Sequence, residues 1–303
     1  LTILLTHIGI DSDLELARLL RPEWGVDLII GGHSHTYLER PLLENGVIIV
    51  TAGEGTNQIG RLDLVVDEDT NSVADYQWQL VPIDDTHLRP DEGLKRYIES
   101  FQQKVDDKYN TMITRLTKKH THPRREIETS LGNLFADALD EMTESDIMLV
   151  GSGSIRSKEI GPAVTLRDIA TCFPYNDPLH KSIVSGAQLR SMFGHIMRRE
   201  NRNGEGECYQ VNGRVRAIYD DAERDLISLT FDNREVTDDQ RFSVCLQGHH
   251  HKNAQAYLGV SPEELGAVRS KMVATGSTEV LEEWLRNHQN CGRSVEGRLV
   301  YMG

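Results

Sequence analysis

Several features that restrict what a protein can do are missing from this sequence of 303 residues. No apolar run approaches the roughly 18 residues that a transmembrane helix needs, so the sequence predicts no membrane span. The four cysteines have no CxxC spacing, which argues against thiolate metal sites, redox motifs and a disulfide framework. An excess of positive charge is also missing, because 47 acidic residues outnumber 33 Lys and Arg and give a formal net charge of −14. Neither a nucleic acid polymer nor an anionic membrane is therefore an expected partner.

The most informative segment present is an apolar run that ends in glycines and histidines. Val26 to Ile30 has almost no polar alternation, which is typical of a parallel strand buried on both faces. Gly31 and Gly32 then allow a sharp turn and a close approach. His33 and His35 follow at the carboxyl end of the predicted strand, where open α/β sheets place their ligands.

Two further apolar runs repeat this pattern. Thr2 to Leu5 leads to His7, and Val47 to Val50 leads into small residues. Because imidazole is a common metal ligand, His7, His33 and His35 form a candidate metal-binding cluster. The alternative on the residues alone is a polar rim of loops without an ion.

The rest of residues 1–88 predicts one helix and one hairpin. Residues 11–20 form the helix, with Asp11 or Ser12 as its cap and acidic residues in its first turn. Residues 57–66 and 73–81 alternate as antiparallel strands do.

A boundary follows, because Asp84, Asp85 and Pro90 interrupt the pattern. Apolar residues at spacings of three and four then predict a long amphipathic helix over residues 91–116. We therefore expect a linker at residues 89–117 that separates two regions.

Residues 118–303 predict a second domain of mixed helices and strands. Ser130 or Thr129 caps a helix, and residues 146–150 form a buried strand. A glycine-rich loop follows and ends at Arg156, which suits contact with a ligand, although a structural salt bridge is the default role of an arginine.

The segments Leu-Thr-His-Ile-Gly and Ile-Ile-Gly-Gly-His-Ser-His-Thr resemble the metallophosphoesterase domain of 5′-nucleotidases. The pattern over residues 124–200 resembles the carboxyl-terminal domain of the same family. The resemblance implies an α/β fold with α+β elements: part of a metallophosphoesterase sandwich at 1–88, then a substrate-binding domain at 118–303. It also implies hydrolysis of nucleotide or nucleotide-like phosphate esters at two divalent metal ions, which could be Zn, Mn or Fe.

The resemblance also assigns residues. His7 and His33 would bind one metal ion and His35 the other. The substrate would contact Arg125, Asn133, Arg156 and Tyr175, with the Tyr175 ring stacked on the base. His249 is nearest by count to a second stacking residue, and a solvated loop is the alternative for the histidines that it begins.

Two departures from the family pattern set further expectations. Gly151 stands where the family has an asparagine, so a side-chain donor to the ligand is missing. The family's Asp-x-His and Asn-His motifs, which include the catalytic histidine, are not found. We therefore expect an amino-terminal portion to precede Leu1, and we expect these 303 residues alone to be inactive. The alternative function is a nucleotide-binding module without catalysis.

Overall fold

The computed structural model describes residues 1–84, 86, 89–202, 207–266 and 268–303, with the backbone alone at 103 and 104. Its contacts divide the chain into an amino-terminal unit, Leu1–Phe101, and a carboxyl-terminal unit, Gln102–Gly303. This division falls inside the helix predicted to connect the two regions. Asp85, one of the predicted boundary residues, lies outside the described residues.

The amino-terminal unit is a small α/β layer structure. Its elements are β1 (Thr2–Leu5), α1 (Ile10–Leu19), β2 (Val26–Ile30), β3 (Leu42–Glu44), β4 (Val47–Val50), β5 (Gln58–Asp67) and β6 (Ser72–Pro82). The sheet order is β1-β2-β4-β3, in which β1, β2 and β4 are parallel. The predicted parallel strands and the predicted β5–β6 hairpin are therefore confirmed.

The two faces of this sheet have different covers. Helix α1 packs on one face, where Ala17 meets Ile29 and Ile49. The β5–β6 hairpin packs on the other face, where Leu28 and neighbouring apolar residues meet Trp78. Because apolar residues point both ways along β2, the strand needs both covers, as an unalternating sequence predicts.

Helix α1 begins one residue earlier than predicted, and its predicted cap is wrong. Gly9 occupies the N-cap position with φ 94°, and because it has no side chain it makes no capping hydrogen bond. The Ile10 N–H instead donates to Ser34 Oγ at 3.0 Å. The first turn is thus satisfied by a residue from the histidine-bearing loop, which local sequence rules do not consider.

The predicted long helix is shorter than expected. Helix α2 spans Glu92–Tyr109, and Met112–Arg115 then forms a strand, β7. Ile113 continues the helical spacing in the sequence, but it is buried in β7, which pairs with a strand at Ala163–Thr165. The apolar residues of α2 are largely exposed, among them Leu94, Tyr97 and Phe101.

The carboxyl-terminal unit contains the remaining elements. After β7 they are β8 (His120–Thr121), α3 (Ser130–Thr143), β9 (Ile147–Gly151), β10 (Glu159–Ile160), β11 (Ala163–Thr165), α4 (Leu166–Cys172), β12 (Leu179–Ser185), α5 (Gly186–Ile196), β13 (Tyr209–Val211), β14 (Val215–Asp220), β15 (Asp225–Phe231), β16 (Arg234–Glu235), β17 (Arg241–Gln247), α6 (Gly248–Lys252), α7 (Ala254–Leu258), α8 (Pro262–Gly266), β18 (Ser270–Ala274), α9 (Ser277–Asn287) and β19 (Leu299–Met302).

A five-stranded sheet with the order β13-β9-β17-β12-β18 lies at the centre of this unit. On one face Phe135 of α3 and Trp284 of α9 pack against Met148. On the other face α5 and a second sheet, β16-β15-β14-β19, enclose a core that includes Leu149 and Phe193. The predicted mixed α/β class is confirmed.

The four cysteines all lie in the carboxyl-terminal unit, and all are free. Burial raises the pKa of Cys172 to about 11 and the pKa values of Cys208 and Cys245 to about 12. Cys291 is half-buried. Among the described residues, no helix combines the length and the apolar character needed to cross a bilayer.

Candidate functional site

The glycine-rich loop that follows β9 lies at one end of the five-stranded sheet. Strands β9 and β17 are parallel, and β13 runs antiparallel to β9. The carboxyl ends of β9 and β17 and the start of β13 therefore meet at the same edge. Ligands of α/β sheets commonly bind at this end, beyond the carboxyl ends of the parallel strands.

Neighbouring segments hold this loop in place. The Ser152 N–H donates to the Cys208 carbonyl at 2.7 Å, and the Ser154 hydroxyl donates to Gln247 Oε1 at 2.9 Å. The Arg156 N–H donates to the Cys172 carbonyl at 2.7 Å. The loop is thus fixed to three other elements, so the side chains it carries are pre-positioned.

Below the loop, His122 connects it to the start of α3. The two ring nitrogens lie 2.9 Å from Thr129 Oγ1 and 3.2 Å from the Ser152 carbonyl oxygen. Burial lowers the pKa of His122 to about 4, so the imidazole is neutral near pH 7. Thr129 is also the side-chain cap of α3, which confirms one of the two predicted caps.

Glu207 brings the two predicted substrate arginines into one electrostatic environment. Its Oε1 accepts a hydrogen bond from the Gly153 N–H at 3.1 Å. Burial raises the pKa of Glu207 to about 7, while the guanidinium groups of Arg125 and Arg156 act in the opposite direction. Arg125 and Arg156, which are 31 positions apart in the chain, therefore both act on one carboxylate.

The histidines after β17 form helix α6 and not a solvated loop. His249 is exposed, and its Nε2 lies 3.3 Å from the Tyr257 hydroxyl. His250 is buried, and its Nδ1 lies 3.0 Å from the Tyr209 hydroxyl. Burial lowers the pKa of His250 to about 3, which leaves it neutral.

His250 and Glu207 occupy the space above Gly151. A Cβ added at Gly151 would overlap His250 Nε2 and would lie 2.8 Å from Glu207 Oε1. A Cβ added at Gly153 would lie 3.1 Å from Glu207 Oε2. Any side chain at position 151 would therefore have to displace at least one of these groups.

Tyr175 lies in a segment that is tied to the start of α9. Its carbonyl oxygen accepts a hydrogen bond from the Ser277 hydroxyl at 3.1 Å, and Asn176 Oδ1 accepts one from the Thr278 N–H. The Tyr175 side chain is 48% exposed, so its ring is accessible to a ligand. Farther along this segment, the Pro178 carbonyl accepts from the Gly248 N–H at the start of α6.

Asn133 does not join these residues. It is fully buried, and its amide donates to Glu128 Oε1 at 2.6 Å and to the Ser294 carbonyl at 2.8 Å. Because this amide group connects α3 to the carboxyl-terminal segment, its position does not support the predicted substrate contact.

In the amino-terminal unit, two of the three predicted metal ligands are adjacent. The rings of His7 and His33 have centroids 5.3 Å apart in an edge-to-face arrangement. His35 Nδ1 lies 2.5 Å from Glu54 Oε2. Both His33 and His35 have positive φ, at 79° and 55°, a conformation that is uncommon outside glycine and marks a constrained loop.

These residues do not by themselves fit a complete metal centre. Within the described parts of the chain, no three His, Cys, Asp or Glu side chains form a group that could hold a metal ion. Asp13 is fully buried close to Gly31, and neither of its carboxylate oxygens has a hydrogen-bond partner. The described residues of this unit thus offer an imidazole pair and one unpartnered carboxylate, but no full ligand set.

The sequence prediction missed Glu207, His250 and Asp13. Asp13 lies in the first turn of the helix predicted over residues 11–20, where acidic residues are common without any functional role. His250 carried one usable signal, which is its position just after a strand. It is the third residue of α6, which begins directly where β17 ends. Glu207 carried none, since only the pairing of β13 with β9 brings it to Gly153.

Comparison with known proteins identifies relatives of this chain. The family model of the 5′-nucleotidase carboxyl-terminal domain matches residues 109–258. A trifunctional nucleotide phosphoesterase protein, YfkN, of Bacillus subtilis is 30% identical over 223 residues, which are 70% of this chain and 15% of that protein. A 5′-nucleotidase of Vibrio parahaemolyticus is 22% identical over 93% of this chain and 54% of its own length.

Solved structures share the fold. A 5′-nucleotidase precursor of Thermus thermophilus superposes with a TM-score of 0.80 at 20% identity, covering 98% of this chain and 63% of that one. The chain thus spans 15% and 54% of the lengths of the two relatives above, and their activities are those of longer proteins.

Proposed function

The chain belongs to the 5′-nucleotidase family, and on that premise we propose that the complete protein hydrolyses phosphate esters of nucleotides. Water is added across the ester bond, which releases a nucleoside and phosphate. In this proposal the carboxyl-terminal unit binds the nucleotide, and the amino-terminal unit belongs to the hydrolytic domain.

The observation that carries the proposal is the convergence of charged groups at the glycine-rich loop. The Arg156 guanidinium donates to the Gly153 carbonyl at 3.4 Å, and Arg125 and Arg156 both act electrostatically on Glu207, at the end of the sheet where ligands are commonly bound. Guanidinium groups suit phosphate and the polar edges of nucleotides because they donate several hydrogen bonds in one plane. Tyr175 and His249 would add accessible rings for stacking, worth about 1–3 kcal/mol per base.

Divalent metal ions belong to the proposal for the complete protein. His7 and His33 would contribute imidazole ligands, and His35 would contribute another after release from Glu54. A bound metal ion would activate water and stabilise the leaving oxygen. Because the described residues offer no complete ligand set, we propose that these 303 residues bind nucleotide without hydrolysing it.

Binding and hydrolysis are tested separately. Isothermal titration calorimetry of the 303-residue chain with adenosine and AMP should detect binding, and Arg156→Ala should weaken it about tenfold or more, as loss of a charged hydrogen bond does. Arg286→Ala is the matched control, because Arg286 pairs with Glu282 on the surface of α9. Equal affinity of Arg156→Ala and the control would contradict the proposed site.

Hydrolysis is measured on the complete protein as phosphate release from a nucleotide panel with Mn²⁺ or Zn²⁺. Phosphate release that disappears when a chelator is added supports the proposed metal-dependent hydrolysis. Nucleotide binding by the complete protein without any release would favour the second candidate, a binding module without catalysis. The absence of a three-ligand group among the described residues is the observation that keeps this candidate open.

A further inference from the structure

The space above Gly151 is the feature that the family resemblance leaves unexplained. The family pattern places an asparagine at this position, whose amide both donates and accepts hydrogen bonds. Here the position has no side chain, and its space is taken by His250 Nε2 and Glu207 Oε1. The groups beside the loop therefore come from β13 and α6 rather than from the loop itself.

The two groups have different chemistry from an amide. Glu207 offers carboxylate oxygens, which are acceptors when ionised. His250 is a neutral imidazole whose Nδ1 faces the Tyr209 hydroxyl. Tyr209 keeps its proton, because burial raises its pKa well above the ordinary value.

Glu207 has acceptor capacity that the protein leaves open. A carboxylate offers about four acceptor positions, and among the described residues its recorded hydrogen bond is the one from the Gly153 N–H. Glu207 as a residue is partly buried, and its two carboxylate oxygens lie beside Gly151 and Gly153 of the glycine-rich loop. A carboxylate without further donors is stabilised by any donor that a ligand supplies.

With a pKa of about 7, Glu207 is ionised in about half of the molecules at pH 7 and in most of them at higher pH, and its charge then restricts which part of a ligand can approach. A phosphate group beside an ionised carboxylate is disfavoured by like-charge repulsion. The neutral part of a nucleotide, in contrast, carries hydroxyl groups on its sugar and N–H groups on its base. These donors match an acceptor, while Arg125 and Arg156 remain suited to anionic groups.

Resting on the proposed function, we propose that Glu207 is a specificity-determining residue that accepts hydrogen bonds from neutral donor groups of the nucleoside. The absence of a side chain at Gly151 makes room for this carboxylate and for the His250 ring. At this place the chain thus selects ligands that present a hydrogen-bond donor. The amide of an asparagine could pair with either a donor or an acceptor of the ligand.

The test measures nucleoside affinity by calorimetry for the wild type, Glu207→Gln and Glu207→Ala. A charged hydrogen bond contributes about 1.5–3 kcal/mol, so Glu207→Ala should weaken adenosine binding about 10- to 100-fold. Glu207→Gln keeps the shape and should lose less. Glu159→Gln is the matched control, because Glu159 is an exposed carboxylate paired with Lys119 at a different site, and its affinity should stay within twofold of the wild type.

Two ligand comparisons identify the source of the donor. If sugar hydroxyls meet Glu207, the wild type should prefer adenosine to 2′,3′-dideoxyadenosine about tenfold or more, and Glu207→Ala should abolish that preference. If a base N–H group meets it, guanosine against inosine should show the same loss of preference. Either result supports the inference.

Other results overturn it. If the wild type binds nucleosides and both Glu207 variants bind every ligand within twofold of it, only this inference fails. If Glu207→Ala strengthens AMP binding and leaves nucleosides unaffected, Glu207 repels phosphate without recognising a donor, and the inference also fails. If the wild type binds neither nucleoside nor nucleotide, the proposed function fails together with it.

Gly151→Ala is an independent check that keeps the carboxylate but disturbs its place. The added Cβ would overlap His250 Nε2. We expect Gly151→Ala to lose nucleoside affinity, and we expect the ligands that lose most affinity in Glu207→Ala to lose most here as well. An unchanged affinity in a folded Gly151→Ala variant would show that the placement above Gly151 does not matter for recognition.

Discussion

The two units differ in how completely they bury their apolar strands. In the carboxyl-terminal unit every residue of β9 is buried between helices and a second sheet. In the amino-terminal unit β1 is an edge strand, and Ile3 and Leu5 on it are 42% and 79% exposed. The β5–β6 hairpin covers β4 and part of β2 but leaves these β1 side chains open. A similar apolar sequence can therefore end in very different environments.

Buried charge shows the same contrast. In the carboxyl-terminal unit, Asp137 accepts two hydrogen bonds from the almost fully buried Arg298, at 2.7 and 3.0 Å, and is also paired with Arg293. In the amino-terminal unit, Asp13 is buried with both oxygens unpartnered. In the described part of the larger unit Asp137 and Arg298 thus satisfy each other, although Asp221 Oδ1 there is also buried without a partner. The following predictions test how far this difference in packing determines stability.

The largest effect is expected from Asp137→Asn. This change removes the closer of the two carboxylates paired with the buried Arg298 and leaves only the more exposed Glu296, so the loss should approach the roughly 3–5 kcal/mol typical of a broken buried ion pair. Chemical denaturation followed by circular dichroism would measure the free energy of unfolding of the carboxyl-terminal unit.

Asp232→Asn provides the matched control, because Asp232 pairs with Arg214 at the surface. Its cost should stay below about 1 kcal/mol. Similar losses for the two variants would mean that the buried network contributes no more than a surface pair, and the contrast between the units would weaken.

The same substitution in both units sharpens the comparison of their cores. Leu131 is fully buried, and Leu131→Ala should cost about 2–5 kcal/mol because it leaves a cavity. Leu5→Ala removes the same atoms from an exposed position and should cost less than about 0.5 kcal/mol. Urea titration of both variants tests this. A large loss for Leu5→Ala would show that β1 is covered in solution.

Acidification should affect the carboxyl-terminal unit through His122. Its pKa is about 4 when folded and near 6.5 when unfolded, so the unfolded state takes up the proton first as the pH falls. The stability it contributes is present above pH 6.5 and is lost between pH 6.5 and 4. Between pH 7 and 5 the wild type should lose about 2 kcal/mol more than His122→Gln.

The difference between wild type and variant isolates this residue, since Glu207 and His250 titrate in both proteins. Parallel stability curves for wild type and His122→Gln would rule out the buried neutral histidine.

The smallest effect is expected at a helix cap. Thr165 caps α4 in a reciprocal arrangement with Asp168, so Thr165→Ala should cost about 1 kcal/mol, while Thr165→Ser should cost little. In the amino-terminal unit, α1 has no equivalent local cap. Thermal denaturation of the two variants measures this, and equal melting temperatures would argue against the cap.

Much of the fold was predictable, because apolar periodicity is local. The strands β2 and β4, the β5–β6 hairpin and helix α3 all follow from the pattern of their own residues. The errors arose where a distant residue decides the structure. Ser34 provides the acceptor at the start of α1, and the pairing of β7 with β11 ends the helical spacing that Ile113 had continued.

The candidate site was predictable only in part for the same reason. Arg125, Arg156 and His249 could be named from motifs; the two arginines act electrostatically on Glu207 beside the glycine-rich loop, whereas His249 lies on α6 beside Tyr257. Glu207 and His250 reach Gly151 only because β13, β9 and β17 are neighbours in the sheet. Asn133 matched a motif by position, but the fold uses its amide inside the domain. Their roles in binding remain predictions.

The distribution of cysteines allows thiol reagents to label one unit selectively. Because all four thiols lie in the carboxyl-terminal unit, an alkylating reagent would report on the opening of that unit and not on the other. Cys291 should react first, and Cys172, Cys208 and Cys245 only as their surroundings open, since buried thiols ionise poorly. Mass spectrometry of the labelled chain would then count opening events in the carboxyl-terminal unit without any engineered probe.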